Sequence, residues 1–188
     1  MSRLPLLDID DVAEQYDSPF TDEFLGDRHI FRGWAQNPAG LEATLEYLEV
    51  LYEQLGDRRS ELVNLTVART REARYEWHQH VDIAPGAGVT IDESQAIGGD
   101  DISVVDDAES VLRQYARAVE SGTVTDQLHD ALARAYPNSE IVAIGLLVDL
   151  YVGLCNYVAA VDLRFEGGEI VGWTPEQETV RALFGHDS

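Results

Sequence analysis

The sequence predicts an all-α protein, and three observations point that way. Apolar residues recur at spacings of three and four through most of the chain; Gly, Pro and Asn punctuate the segments so patterned; and no stretch alternates apolar with polar residues convincingly, a weak segment from Glu169 to Trp173 excepted. With 188 residues and 45% apolar content, the chain is long enough for one domain with its own core.

The elements follow in order. Residues 1–36 carry no sustained periodicity and mix aromatic side chains (Phe20, Phe24, Phe31, Trp34) with acids, which suggests an arm packed on the body. From Asn37-Pro38 the pattern is helical: Leu41, Leu45, Leu48, Tyr52 and Leu55 share one face, Pro38 suits a first turn, and Gly56-Asp57 ends the helix. A second helix, starting near Arg58 or Arg59, buries Leu62 and Leu65 and breaks around Thr70 to Ala73; a third runs through Tyr75 to Pro85. Thr90 and Glu93 have the spacing of a capping box before a short helix that stops at Gly98-Gly99, and an Asp-rich loop follows. Val105, Ala108, Leu112, Tyr115 and Val119 form the next stripe, ending at Gly122; Leu128, Leu132 and Ala135 form a shorter one behind a Thr125 cap. Pro137-Asn138 then precedes an almost wholly apolar helix. Six to seven helices are expected, with an N-terminal arm over 1–36, a helical domain over 37–161 and a C-terminal tail over 162–188.

The segment from Ile141 to Val161 passes a hydropathy scan for a membrane span. It carries Asp149 and Asn156, however, and is bounded by Glu140 and Asp162 in place of basic anchors, so a buried central helix is expected. A few short neighbours cannot cover such a helix all round, and a homo-oligomeric interface is expected to cover part of it.

Charge narrows the function. Against 35 acidic residues stand 13 basic ones, all Arg, for a net charge of -22 with no Lys at all, a composition like that of a halophile's proteome. Such a surface stays hydrated in concentrated salt, where screening weakens its self-repulsion; loss of stability or assembly is expected in dilute buffer. The same charge disfavours nucleic-acid and membrane partners. Absence of Lys excludes a pyridoxal-phosphate Schiff base and a Walker-type phosphate lysine. Cys155 is the single cysteine, so neither an intrachain disulfide nor a thiolate cluster is possible, and it reads as a small buried hydrophobe. The opening MSRLPLLDIDD has no long apolar stretch, and a cytoplasmic location is expected.

The most distinctive segment runs from Glu72 to His80. Glu76 and His80 lie four apart, on one helical face, beside an apolar stripe of Trp77, Val81 and Ala84. A carboxylate beside an imidazole fixes its tautomer and raises its basicity, as a general acid or base near neutral pH requires; the same pair also occurs on exposed helices as a simple surface contact. His78 is expected to face solvent near Arg74, and His29, His129 and His186 sit in no motif.

Asn37-Pro38, Glu61, the Tyr75-Glu76-Trp77 and His80 run, Ala87-Gly88 and the apolar helix with Asn156 occur in an order and spacing that resembles the carboxymuconolactone decarboxylase-like and AhpD-like family over about residues 37–161. The resemblance implies an AhpD-like helical bundle, trimeric or hexameric, and a site shared by two successive helices. In the AhpD-like branch that site is Cys-x-x-Cys followed four residues later by His, with a glutamate twelve residues before the first cysteine. Here Ala73 and Glu76 stand at the cysteine positions, whereas His80 and Glu61 match the histidine and glutamate.

The resemblance therefore implies Glu61, Glu76 and His80 as catalytic residues without a thiol pair, so the alkylhydroperoxidase cycle cannot run by its usual mechanism. What remains is proton transfer, as in a lyase or isomerase acting on a small carboxylated or carbonyl compound with no cofactor. Tyr75, Asn156 and Arg74 are the candidate substrate-binding residues, with Arg69 and Arg71 as other candidates for holding a carboxylate. Two carboxylates and one imidazole also make an open metal-ligand set, which ranks below acid-base use. The alternatives are an alkylhydroperoxidase-type antioxidant enzyme, disfavoured for want of the cysteine pair, and a non-catalytic, ligand-binding oligomer.

Overall fold

The computed structural model describes residues 2–8, 28–99, 107–167 and 170–184. Phe20, Phe24, Val105, Glu169, His186 and the Asp-rich loop after Gly99 lie outside them. Among the described residues the chain is all-helical: α1 (His29–Trp34), α2 (Pro38–Leu55), α3 (Asp57–Thr70), α4 (Arg74–Ile83), α5 (Ile91–Gly98), α6 (Asp107–Ser121), α7 (Asp126–Ala135), α8 (Asn138–Val161) and α9 (Gln177–Phe184). The seven helices read from periodicity are α2 to α8; α1 and α9 add two short ones, and the segment ending at Trp173 forms no strand.

The breaks have local causes. Pro38 opens α2, where its missing N–H costs nothing. Gly56 stands at φ 78° between α2 and α3. At the end of α3 the chain reverses through Glu72, at φ 52°, and the amides of Arg71, Glu72 and Ala73 return to the carbonyls of Val67, Arg69 and Ala68. The α5 capping box is complete, since Thr90 Oγ1 accepts from the Glu93 amide while Glu93 accepts from the Thr90 amide. Thr125 caps α7 by accepting from the Leu128 amide.

The chain divides into two compact units, one of residues 1–50 and 156–168, the other of 51–155 and 169–188. In the first, residues 2–8 run alongside helical segments: Leu7 and Arg32 exchange hydrogen bonds, and the Arg3 amide donates to the Val161 carbonyl at 2.7 Å. Ala35 and Leu41 form its small core with Leu7, Phe31, Trp34 and Leu45, and Trp34 stacks on Tyr157. His29 is held at both ends, its amide by Glu166 and its Nδ1 by the Arg164 carbonyl.

In the second unit α3 is the central element, packed against α4, α5 and α6, with α7 on α6 and α9 on α4. Nine consecutive α3 residues, Ser60 to Ala68, are buried. The apolar helix α8 is covered only in part: it buries Ile144, Leu147, Val148 and Tyr151 but leaves Val142 and Leu146 exposed. Arg58 at the start of α3 ties in two neighbours, donating to Glu93 of α5, to Glu109 of α6 and to the Gly88 carbonyl. Burial alone would push the Glu93 carboxyl up, but donors from Arg58 and Thr90 outweigh it and hold the group below the usual range.

Candidate functional site

The cluster belongs entirely to the second unit and is assembled from four helices. The α3 helix supplies Glu61 and Asn64, one turn apart; α4 supplies Glu76 and His80 on the same face; the C-terminal turn of α2 supplies Tyr52; and α8 supplies Tyr151 and Cys155. Glu61 is fully buried, and Glu76 and His80 retain 3% and 5% exposure. The three predicted catalytic residues therefore meet one another inside the unit.

Their roles differ from the pairing expected from spacing. His80 Nδ1 lies 2.7 Å from Glu61 Oε2, so Glu61, from the neighbouring helix, holds the ring. Glu76, on the same helix one turn back, faces the other nitrogen, with Oε2 3.9 Å from Nε2, beyond hydrogen-bond length. The imidazole is thus gripped on one edge by a charge-assisted bond, with its second nitrogen turned toward a carboxylate that does not engage it closely. Tyr151 packs edge-on to the His80 ring, at 5.0 Å between centroids.

Three further residues, absent from the sequence reading of the site, complete it. The Tyr52 hydroxyl donates to Glu61 Oε1 at 2.7 Å, Asn64 Nδ2 donates to the Tyr52 hydroxyl at 2.6 Å, and the Tyr151 hydroxyl lies 3.5 Å from that of Tyr52. Burial pushes both phenols well above their ordinary pKa, with the charge of Glu61 adding to the effect, so both remain protonated donors. Burial, reinforced by the Glu76 carboxylate and opposed by Arg71, pushes the Cys155 thiol up to about 12. At neutral pH it holds its proton and is a poor nucleophile.

Of the predicted binding residues, Tyr75 is buried at the start of α4, next to Glu76. Asn156 is exposed on α8, not buried as the pocket-lining reading supposed, and falls in the chain's other compact unit. Arg74 is engaged elsewhere: its guanidinium lies 5.3 Å from the centre of the Trp173 ring, with Arg69 also on that ring at 5.0 Å. Arg71 pairs with Glu120. His78 is not the solvent-facing residue expected, because its Nδ1 accepts from the Val171 amide at 3.2 Å. Among the described residues no group of three His, Cys, Asp or Glu side chains is arranged to hold a metal ion. The reason is visible in the cluster, where the two carboxylates approach opposite nitrogens of one ring and a single ion cannot take both edges.

Neither a protein-family model nor a curated protein sequence matches this chain. Among solved structures it is similar to an alkylhydroperoxidase AhpD core, an uncharacterized peroxidase-related protein from Ralstonia eutropha JMP134, with a TM-score of 0.74 over 96% of this chain and 95% of that one, at 14% sequence identity. The likeness shows the fold: this chain is an all-α protein of the AhpD-core type.

Proposed function

We propose, from the AhpD-core fold and the buried cluster together, that this protein is a carboxymuconolactone decarboxylase-like enzyme that moves protons on a small carboxylated or carbonyl compound. The observation that carries this reading is the 2.7 Å bond between Glu61 and His80 Nδ1, which leaves Nε2 as the working nitrogen with Glu76 opposite it. Neutral His80 removes a proton from the carbon next to a carbonyl, and Glu61 holds the imidazolium that results. Returning that proton to a different carbon isomerises the substrate; in a decarboxylation no carbon proton is removed first, and the carbanion left by loss of carbon dioxide is quenched by a proton that His80 has taken from solvent. Glu76, facing Nε2, is the second acid-base group.

Thiol peroxidase activity is disfavoured on chemical grounds. Ala73 and Glu76 occupy the positions of the redox pair, and Cys155 is buried with its thiol proton held. The burial of the cluster favours one rival, in which Glu61 and His80 only tie helices together.

The experiment is hydrogen–deuterium exchange, followed by NMR, on a panel of small keto acids and carboxylated lactones. The wild type is expected to exchange the hydrogen next to the carbonyl, and His80→Ala and Glu76→Gln to slow this by about 10²–10⁴ while remaining folded. Full activity in either variant removes that residue's role. Peroxide consumption that a thiol blocker abolishes would overturn the reading in favour of the antioxidant one.

A further inference from the structure

We propose that Tyr52 and Asn64 are positioning residues that act through Glu61 to fix His80 in the tautomer with hydrogen on Nδ1, so that Nε2 is the nitrogen without a proton. The inference rests on the acid-base reading above and adds two side chains whose hydrogen bonds reach Glu61 and each other rather than His80.

The argument is a count of hydrogens. Asn64 Nδ2 lies 2.6 Å from the Tyr52 oxygen and 3.4 Å from Glu61 Oε1. A carboxylate can only accept, so the amide nitrogen, and not its oxygen, must face this pair. The Tyr52 oxygen then receives a hydrogen from Asn64, and its own single proton is left for Glu61 Oε1 at 2.7 Å. Tyr151, 3.5 Å from Tyr52, can only donate in its turn. Every hydrogen in the network is thus directed toward Glu61 from α2, α3 and α8. The phenol and amide hydrogens both point at Oε1, so Glu61 enters the network as an acceptor. Meeting His80 as an acceptor too, through Oε2, it leaves the hydrogen of the 2.7 Å bond on Nδ1.

Without the phenol hydrogen the balance shifts. Glu61 Oε1 then has lost its closest donor, the count of hydrogens no longer fixes Glu61 as the acceptor toward Nδ1, and the ring hydrogen can move to Nε2, the side that faces Glu76. Tyr52→Phe keeps the ring and deletes only that donor. Asn64→Leu deletes the donor behind it.

The test reads the tautomer of His80 directly, by two-bond ¹⁵N–¹H correlation on histidine-labelled protein at a pH where the ring is neutral. The wild type is expected to show a protonated Nδ1 and a bare Nε2. Tyr52→Phe is expected to change the tautomer ratio at least tenfold toward Nε2–H, and Asn64→Leu to change it in the same direction by less. A wild-type ring carrying its hydrogen on Nε2 overturns the proposal outright, as does a ratio unchanged in both variants; the wild-type measurement stands even where a variant fails to fold. Because the readout needs no substrate, it is independent of turnover. An unchanged ratio combined with loss of exchange in His80→Ala sinks the positioning roles and leaves the acid-base reading intact.

Discussion

One short helix, α4, carries two unlike faces. Glu76 and His80 look into a closed cluster with Glu61, Tyr52 and Tyr151, in which hydrogen bonds converge on one carboxylate. Trp77 and His78, one and two residues on from Glu76, look the other way and hold the tail: Trp77 Nε1 donates to the Gly172 carbonyl at 2.8 Å, its ring meets Trp173 edge-on, and His78 takes the Val171 amide. Gln95 on α5 binds the Pro175 carbonyl, and Arg69 and Arg74 lie over the Trp173 ring. The difference teaches that a compact motif need not be one site. Within Tyr-Glu-Trp-x-x-His, Glu76 and His80 enter the buried cluster for which we propose acid-base chemistry, whereas Trp77, with His78, fastens residues 171–175 to the helices beneath.

The largest test of that division is Trp77→Ala. Trp77 is fully buried, so its removal leaves a cavity and strips the Gly172 carbonyl of its donor, for an expected loss of about 3–5 kcal/mol in denaturant unfolding. Next comes Gly98→Ala. A Cβ there would lie 1.5 Å from the Trp173 carbonyl oxygen and 2.6 Å from its carbon, and backbone cannot step aside as a side-chain tip can. Since Gly98 does not have the positive φ of Gly56, Gly88 or Gly122, alanine suits α5 itself, and any effect reports the tail. The expected cost is about 1–3 kcal/mol, with faster proteolysis around 170–175 and the ring signals of His80 in place. Wild-type stability in Gly98→Ala would mean that the tail does not lie against α5.

These two faces were not equally legible in the sequence. The helices were, because α2 to α4 and α6 to α8 are long enough to show their periodicity and α5, at eight residues, is marked by its capping box, whereas α1, at six residues, is too short for either. The central place of α3 is hidden by its polar content: Ser60, Glu61, Asn64 and Thr66 interrupt its apolar pattern yet are buried, since Ser60 and Thr66 bond back to carbonyls one turn earlier and Glu61 and Asn64 bond within the cluster. The meeting of Glu61 with His80 was implied by the family resemblance, since spacing alone pairs His80 with Glu76; which carboxylate grips the ring depends on helix packing that spacing does not encode. Tyr52 lay in plain sight on the α2 stripe and was taken for core, although a phenol on a face turned toward the next helix's glutamate is a signal in its own right. The tail shows no period because its backbone groups bond to side chains of α4 and α5 and not to a neighbouring strand.

The smallest and sharpest test falls on His78, two residues from His80. Its Nδ1 accepts from a backbone amide, so in the neutral ring the hydrogen is on Nε2, the opposite tautomer to that proposed for His80. His78→Leu keeps an apolar body and removes the acceptor, which leaves the half-buried Val171 amide without its bond. About 1 kcal/mol is expected, read as roughly fivefold faster hydrogen exchange at Val171. Proton transfer at His80 should not change, because nothing in the Glu61 network runs through the tail. If His78→Leu instead slowed exchange on substrate as much as Glu76→Gln does, the two faces of α4 would be one coupled device, and the assignment of chemistry to one side and fastening to the other would have to be withdrawn.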